Sequence, residues 1–323
     1  MTQTIRPAAA TCYVTEACNS RCMTCAVWRT RGEPDLPTAE WTDALTQIGG
    51  LGVRYVCLSG GEPLLRNDLA KLVRAARDAG MTAVEAASNG LLLTRQRLDQ
   101  LVDAGLTGLH LSVDGISDVH DRIRGLPGSF AAVRRALVLA RARGLDVSVN
   151  MNLLADNLDQ VPAVMDLAQE HRATWNPNFL NNTQRSFRGV DTESLLPRDE
   201  TRIRILIEDL AVRLALPGLR SGLAPPHLPH LARMLATGRT PDFPCLLGSW
   251  LVYVYTDLSV SPGCNAIKPA GNLRHEPLAD ILAGPKYARK VKQMAMRNCP
   301  GCTCCIWHNL DQAEQAGSCE ARA

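Results

Sequence analysis

The run Cys12-Tyr13-Val14-Thr15-Glu16-Ala17-Cys18-Asn19-Ser20-Arg21-Cys22-Met23-Thr24-Cys25 decides how the rest of the chain is understood. A short β-rich stretch, Cys12–Thr15, runs directly into three cysteines spaced C-x3-C-x2-C in a loop. Three thiolates can bind three irons of a four-iron cube and leave the fourth iron with an open coordination position. By spacing alone, a structural zinc site lacking its fourth ligand, or ordinary loop cysteines, remain alternatives.

Outward from this loop, short β-rich runs alternate with amphipathic helical runs from Thr11 to about Leu216, the pattern of a parallel sheet with crossover helices. The strand-like runs are Cys12–Thr15, Arg54–Leu58, Ala83–Ala87, Gly108–Val113, Asp146–Asn152 and Ala173–Phe179. Between them, Leu69–Asp78, Arg95–Asp103, Phe130–Arg143 and Leu158–Glu170 place Leu, Val and Ala on one helical face. Gly80, Gly105 and Gly144 follow three of these helices where a left-handed cap belongs. The second strand ends in Ser59-Gly60-Gly61-Glu62-Pro63, at the carboxyl edge of the sheet where ligands of α/β proteins bind.

Four motifs together resemble the radical S-adenosylmethionine (SAM) superfamily: C-x3-C-x2-C after strand one, Gly-Gly-Glu-Pro after strand two, Ser88-Asn89-Gly90 after strand three and Ser112-Val113-Asp114-Gly115 after strand four. The resemblance covers about Thr11 to Phe179. It implies an α/β fold, a partial (β/α)6 barrel, with a [4Fe–4S] cluster on Cys18, Cys22 and Cys25. It also implies that Gly60, Gly61, Glu62 and Pro63 meet the methionine amino group of SAM, and that Ser88, Ser112 and Asp114 contact ribose or the methionine end. Arg124 is the expected partner of the SAM carboxylate. The residue before the third cysteine is usually aromatic in the family and here is Thr24; Trp28 is either its replacement against adenine or a core residue. The implied chemistry is reductive cleavage of SAM to a 5′-deoxyadenosyl radical, with an electron donor such as flavodoxin or ferredoxin.

Leu216–His230 is punctuated by Pro217, Gly218, Pro225, Pro226 and Pro229, so residues 11–216 are expected to be the barrel, 217–242 a linker and 243–323 a C-terminal module. That module holds Cys245, Cys264 in Ser-Pro-Gly-Cys, and Cys299-Pro300-Gly301-Cys302, with a β-hairpin around Asp257. It resembles the twitch module, related to SPASM, which implies a small hairpin/helix unit with a second, fully ligated [4Fe–4S] cluster on Cys245, Cys264, Cys299 and Cys302. Cys305 is an alternative to Cys299, since 302 and 305 also form C-x2-C.

Composition is that of a globular protein, 46% apolar with a net charge of +3, without a signal peptide or a long apolar run, so the cytoplasm is the default. Lys286, Lys290 and Lys292 suit a solvated helix face, and no nucleic-acid or membrane partner is expected. Clustered cysteines in a reducing compartment indicate metal ligation, whereas Cys12 and Cys57, within apolar runs, suit buried positions.

The substrate is the least legible feature. Only seventeen residues precede Cys18, and peptide-modifying relatives commonly carry a leader-binding domain there, so a small substrate is expected. The plan resembles enzymes of sugars and aminocyclitols in antibiotic biosynthesis. The leading expectation is dehydrogenation of an alcohol with the auxiliary cluster as electron acceptor; the alternatives are a radical decarboxylase or epimerase and a thioether-forming peptide maturase. Asn176, Asn178 and Arg185 are candidates for binding a polyhydroxylated ligand, unless they form only an Asn-rich turn. Glu85 and His110, polar residues within strands, are candidate catalytic proton acceptors or merely sit at a sheet edge.

Overall fold

The computed structural model describes residues 5–29, 34–180, 190–191, 193–238 and 245–296. Its centre is a run of parallel strands and helices in strict alternation: β1 (Ala9–Thr15), α1 (Thr38–Gly50), β2 (Tyr55–Gly60), α2 (Leu69–Asp78), β3 (Ala83–Ser88), α3 (Arg95–Ala104) and β4 (Gly108–Ser112). Two helices, α4 (Asp118–Arg124) and α5 (Ser129–Ala142), then precede β5 (Asp146–Leu153), α6 (Val161–Glu170) and β6 (Thr174–Phe179). Neighbouring strands in sequence are neighbours in space and pair parallel from β1 to β6, the barrel-like order expected of this sequence.

Alternation along each strand explains why the sheet folds between helices and a hollow. Val56 and Leu58, Val84 and Ala86, Leu109 and Leu111, and Val147, Val149 and Met151 are all buried and belong to one core cluster with helical residues such as Trp41, Leu72, Leu98 and Leu137. Each buried Val, Leu or Met side chain among them contributes about 1.5–3 kcal/mol. The intervening residues, among them Ser59, Ala87, Ser112, Asn150 and Asn152, face the inner side and line a cavity. Gly80, Gly105 and Gly144 all have positive φ, 89°, 105° and 67°, so the helix ends they mark turn in the left-handed region as the sequence indicates.

The stretch expected as a linker carries structure of its own. After α7 (Glu200–Arg213), β7 (Arg220–Ser221) adds to β6 and α8 (Leu228–Thr237) packs against α7 through an apolar face of Leu228, Leu231, Met234 and Leu235. Prolines at 225, 226 and 229 sit in the first turns of helical segments, where a missing N–H costs nothing. They read as breaks in the sequence because their role at a helix start is not distinguishable from one in a loop.

Beyond it come α9 (Leu247–Trp250), β8 (Leu251–Val254), β9 (Ser259–Ser261), β10 (Gly271–Asn272), α10 (Leu278–Ala283) and α11 (Pro285–Ala295). The β8–β9 hairpin turns at Asp257, whose Oδ1 accepts from the Ser259 N–H at 3.0 Å. β8 pairs parallel with β1, Ala9 opposite Leu251 and Cys12 opposite Val254, so the ten strands of the described residues form one sheet in the order β10-β9-β8-β1-β2-β3-β4-β5-β6-β7. Val252 of β8 is fully buried in the same core as Val14 and Leu58. Val252→Asn places an unpaired amide there at a cost of roughly 2–7 kcal/mol. Calorimetry should show one transition for the whole chain, moved to lower temperature; two transitions with only one displaced would contradict a shared core.

Candidate active site

Cys18, Cys22 and Cys25 line a cavity of about 320 Å3 at the carboxyl ends of the parallel strands, together with Gly60, Gly61, Glu62, Ser88 and Ser112. The loop that carries the thiols is fixed from three sides. At its start, Gly61 N–H donates to Thr15 O and Glu62 N–H to Ala17 O, both at 2.8 Å. A Cβ on Gly60 would collide with the Thr15 carbonyl and one on Gly61 with the Ala17 carbonyl, so both positions need glycine for the backbones to pair. From β3, Asn89 Nδ2 donates to Asn19 Oδ1 at 2.7 Å and to Ser20 Oγ at 3.0 Å. From the end of α4, the Arg124 and Ile123 carbonyls accept from Arg21 and Met23 N–H at 3.1 and 3.0 Å. Gly125, with φ 64°, leaves room for the Arg21 carbonyl.

Glu62 is the hinge of this arrangement. Its carboxylate is buried and accepts from Leu64 N–H at 3.1 Å, Ser88 Oγ at 2.9 Å and Asn89 N–H at 2.8 Å. Burial pushes its pKa up, and these bonds oppose that rise. Pro63 is buried at the start of a short 3-10 turn and does not line the cavity. Thus Ser88 is both part of the cavity wall and a clamp on Glu62.

Of the two charged residues expected to meet a ligand, Arg124 lines the cavity and Asp114 does not. Asp114 is fully buried and outside the cavity lining; its Oδ1 accepts from Asn152 N–H at 2.8 Å and its Oδ2 lies 2.8 Å from Arg124 Nε. Arg124 does line the cavity, with Nη1 3.6 Å from Cys22 Sγ. Desolvation works against its charge, but Asp114 and the cysteines beside it hold its pKa above the ordinary arginine value. His120, buried behind this pair, accepts from Asp114 N–H through Nδ1 at 3.1 Å. Burial, with Arg124 alongside, lowers its pKa to about 3, so it is neutral.

The thiols fit a cluster chemically. Burial raises Cys18 to about 11 and raises Cys25 as well, so in the metal-free chain they hold their protons and a bound iron must displace them. Among the described residues no three His, Cys, Asp or Glu side chains close on a single metal ion. A cube bound by one thiolate per iron makes no such demand. Thr24 is buried in the cavity wall, whereas Trp28 lies outside it and donates from Nε1 to Cys22 O at 3.2 Å, supporting the loop.

Farther around the wall stand Tyr13, Asn150, Asn152 and Asn178. Asn178 is among the residues the sequence points to; Asn150 and Asn152 are not, although polar residues at every second position of β5 mark an inward face. Asn176 is outside the lining, its Oδ1 against Gly222. Arg185 lies outside the described residues, as do Cys299, Cys302 and Cys305. Cys245 and Cys264 are both part of a second apolar cluster with Leu251, Tyr253, Tyr255 and Met294. Tyr13 joins this cluster to the cavity: its ring stacks on Tyr255 at 5.4 Å and its Oη accepts from Asn265 Nδ2 at 3.1 Å. Glu85 and His110 meet each other, 2.6 Å apart, with Tyr55.

The family model of the radical SAM superfamily matches residues 12–168, the stretch that holds the cysteine loop and all of the described cavity wall but Asn178. The chain carries a radical SAM domain. Radical SAM enzymes use SAM and a [4Fe–4S] cluster, and these are its cofactors. Among curated relatives, the AdoMet-dependent heme synthase of Methanosarcina barkeri is 28% identical over 295 residues, 86% of this chain and 83% of that protein. The PqqA peptide cyclase of Ruegeria pomeroyi is 38% identical over 137 residues, 42% of this chain and 36% of that one. Among solved structures, Streptococcus suis SuiB bound to the precursor peptide SuiA superposes with a TM-score of 0.69 at 16% identity, covering 87% of this chain and 66% of SuiB. At that identity the match shows the fold. Among the described residues no helix is long and apolar enough to cross a membrane.

Two outcomes follow for this radical SAM domain. Gly61→Ala should push the cysteine loop out of place, and iron after anaerobic reconstitution should fall by about four atoms per chain, one cube; unchanged iron would contradict the close-approach argument. His120 stays neutral in the fold while the unfolded chain, with an ordinary histidine pKa of 6.5, takes up a proton. Stability contributed by this group is therefore present above pH 6.5 and lost as pH falls toward 3, by about 1.4 kcal/mol per pH unit. Urea unfolding across that window should be less pH-dependent in His120→Asn than in the wild type; equal slopes would contradict it.

Proposed function

We propose that this radical SAM enzyme removes hydrogen from a polyhydroxylated small molecule, of the sugar or aminocyclitol class, and oxidises a carbinol carbon to a carbonyl. When bound at the cluster and reduced by one electron, SAM supplies a 5′-deoxyadenosyl radical able to take hydrogen from an unactivated carbon. Cys18, Cys22 and Cys25 are the ligands in this reading, and the backbone of Gly60–Glu62 with Ser112 and Arg124 forms the SAM seat. The observation that carries the substrate class is the row of amides, Asn150, Asn152 and Asn178, in the same cavity wall as the three thiols. Amides donate and accept, and so match vicinal hydroxyls without demanding a charge.

Glu85 and His110 serve as proton acceptors, at Oε2 and Nε2. Cys245 and Cys264, beside the aromatic contact from Tyr13, join Cys299 and Cys302 as ligands of an auxiliary [4Fe–4S] cluster that takes the second electron. The electron donor for SAM cleavage is a small redox protein such as flavodoxin or ferredoxin.

A second reading has its own support. The similarity to AdoMet-dependent heme synthase runs over most of both chains, which favours a tetrapyrrole-type substrate and a radical decarboxylation. Product mass separates the two. Anaerobically reconstituted protein given SAM, dithionite and a panel of sugars, aminocyclitols and carboxylated porphyrins should yield a sugar-class product lighter by two hydrogens. Loss of carbon dioxide from a porphyrin, with the sugars untouched, would overturn the first reading in favour of the second.

A further inference from the structure

Three acid–base side chains from three adjacent strands meet on the inner face of the sheet, outside the lining of the cysteine cavity. Tyr55 opens β2, Glu85 lies within β3 and His110 within β4. Strand alternation puts them on the same face as Ser59, Ala87 and Ser112, which do line the cavity. Glu85 and His110 lie two residues before Ala87 and Ser112, about 7 Å lower along the strands. They form part of the layer beneath the cavity.

Tyr55 Oη donates to Glu85 Oε2 at 2.9 Å and is 2.8 Å from His110 Nε2, which in turn is 2.6 Å from the same Oε2. All three polar atoms are therefore within hydrogen-bond reach of one another. Gly108 leaves the space the carboxylate occupies, since a Cβ there would stand 3.0 Å from Glu85 Oε1. The His110 and Glu85 side chains keep 21% and 15% of their surface, so neither is sealed in the core. The Tyr55 ring packs on the apolar cluster that includes Cys264 and Tyr253, which fixes the phenol from behind.

A carboxylate only accepts, a phenol donates and accepts, and an imidazole does either according to its tautomer. In a triangle of these three groups an added proton goes to the carboxylate or the imidazole, while the phenol stays hydrogen-bonded beside both. We propose that Tyr55, Glu85 and His110 are one proton-accepting unit beneath the cavity, with Tyr55 as the residue that positions the other two. This rests on the carbinol-oxidation reading for its substrate. In the step assigned to it, the substrate O–H bond breaks, the electron pair stays on the substrate oxygen, and the proton forms a new bond at His110 Nε2 or Glu85 Oε2.

The groups bordering the unit leave its charge to these three residues. Cys57 lies between Tyr55 and the cavity on β2, with Thr11 of β1 as its register partner. Ser148 of β5 pairs with His110, and Thr174 of β6 with Ser148. Asp146 of β5, the register partner of Gly108, has its carboxylate 2.8 Å from Arg220.

The test has a part that needs no substrate. In oxidised holoenzyme labelled with ¹⁵N-histidine, the His110 ring resonances are assigned by their loss in His110→Gln, and their ¹⁵N shifts at one fixed pH are compared in wild type, Tyr55→Phe and Glu85→Gln. Both substitutions change a group within hydrogen-bond reach of Nε2, so both should move the Nε2 resonance. An unmoved Nε2 resonance in Tyr55→Phe overturns the unit, whatever the substrate proves to be. With the substrate found by mass, Tyr55→Phe should still cleave SAM but release about tenfold more 5′-deoxyadenosine per product, with Glu85→Gln affected more strongly. An unchanged ratio in both variants also overturns it. Should no oxidised product form in the wild type, the carbinol reading fails while the ¹⁵N result stands on its own.

Discussion

The site depends on one close approach: the Gly60–Gly61 turn at the end of β2 lies against the Thr15–Ala17 backbone at the end of β1 with no space for a side chain between them. That contact fixes where the cysteine loop leaves the sheet. Glu62 extends the constraint sideways, because its buried carboxylate is satisfied only when the ends of β2 and β3 are in register and Ser88 and Asn89 reach it. Asn89 then returns to the loop at Asn19 and Ser20, and the end of α4 holds the middle of the loop through two backbone bonds. Short segments far apart in sequence thus converge on three thiols, and each uses backbone groups or fully bonded side chains. Losing one partner would leave buried polar groups unsatisfied, at about 1–3 kcal/mol each.

Charge is arranged around the same loop. Arg124 is a buried guanidinium whose neighbours are Asp114 on one side and the Cys22 sulfur on the other. A cation at that position favours thiolate over thiol, opposing the burial that raises Cys25. His120 stays neutral behind the pair and accepts from Asp114 N–H, so it adds no competing charge. On the opposite wall, Tyr13 belongs to the cavity and, through its stack on Tyr255, to the apolar cluster that contains Cys245 and Cys264. One sheet therefore carries both cysteine regions, and β8 lying directly against β1 makes their separation a fixed one.

Much of this was legible in the sequence wherever the signal is local. Six strand–helix units, three left-handed glycines and the order of the motifs at strand ends follow from periodicity and turn chemistry, and the structure contains them. The pairing of β8 with β1 was not legible, since register between segments some 240 residues apart is set by the folded core and not by either segment. The same holds for Asp114, whose place in a Ser-Val-Asp-Gly motif suggests a ligand contact but whose carboxylate is taken by Arg124 and Asn152. Glu85 and His110 stood out as polar residues within strands; that Tyr55, an aromatic at a strand start, joins them depends on side-chain reach across three strands. The proline-rich segment misled in the opposite direction, because helix-starting prolines carry the same letters as loop prolines.

The central claim is that the three loop thiols hold a cube with one iron left open to SAM. Electron paramagnetic resonance of the dithionite-reduced Cys264→Ala protein, recorded with and without SAM, tests it without the auxiliary site contributing. The account predicts a reduced four-iron signal whose g-values shift when SAM is added and which disappears in the additional Cys22→Ala substitution. A signal that ignores SAM, or one that survives the loss of Cys22, would contradict it.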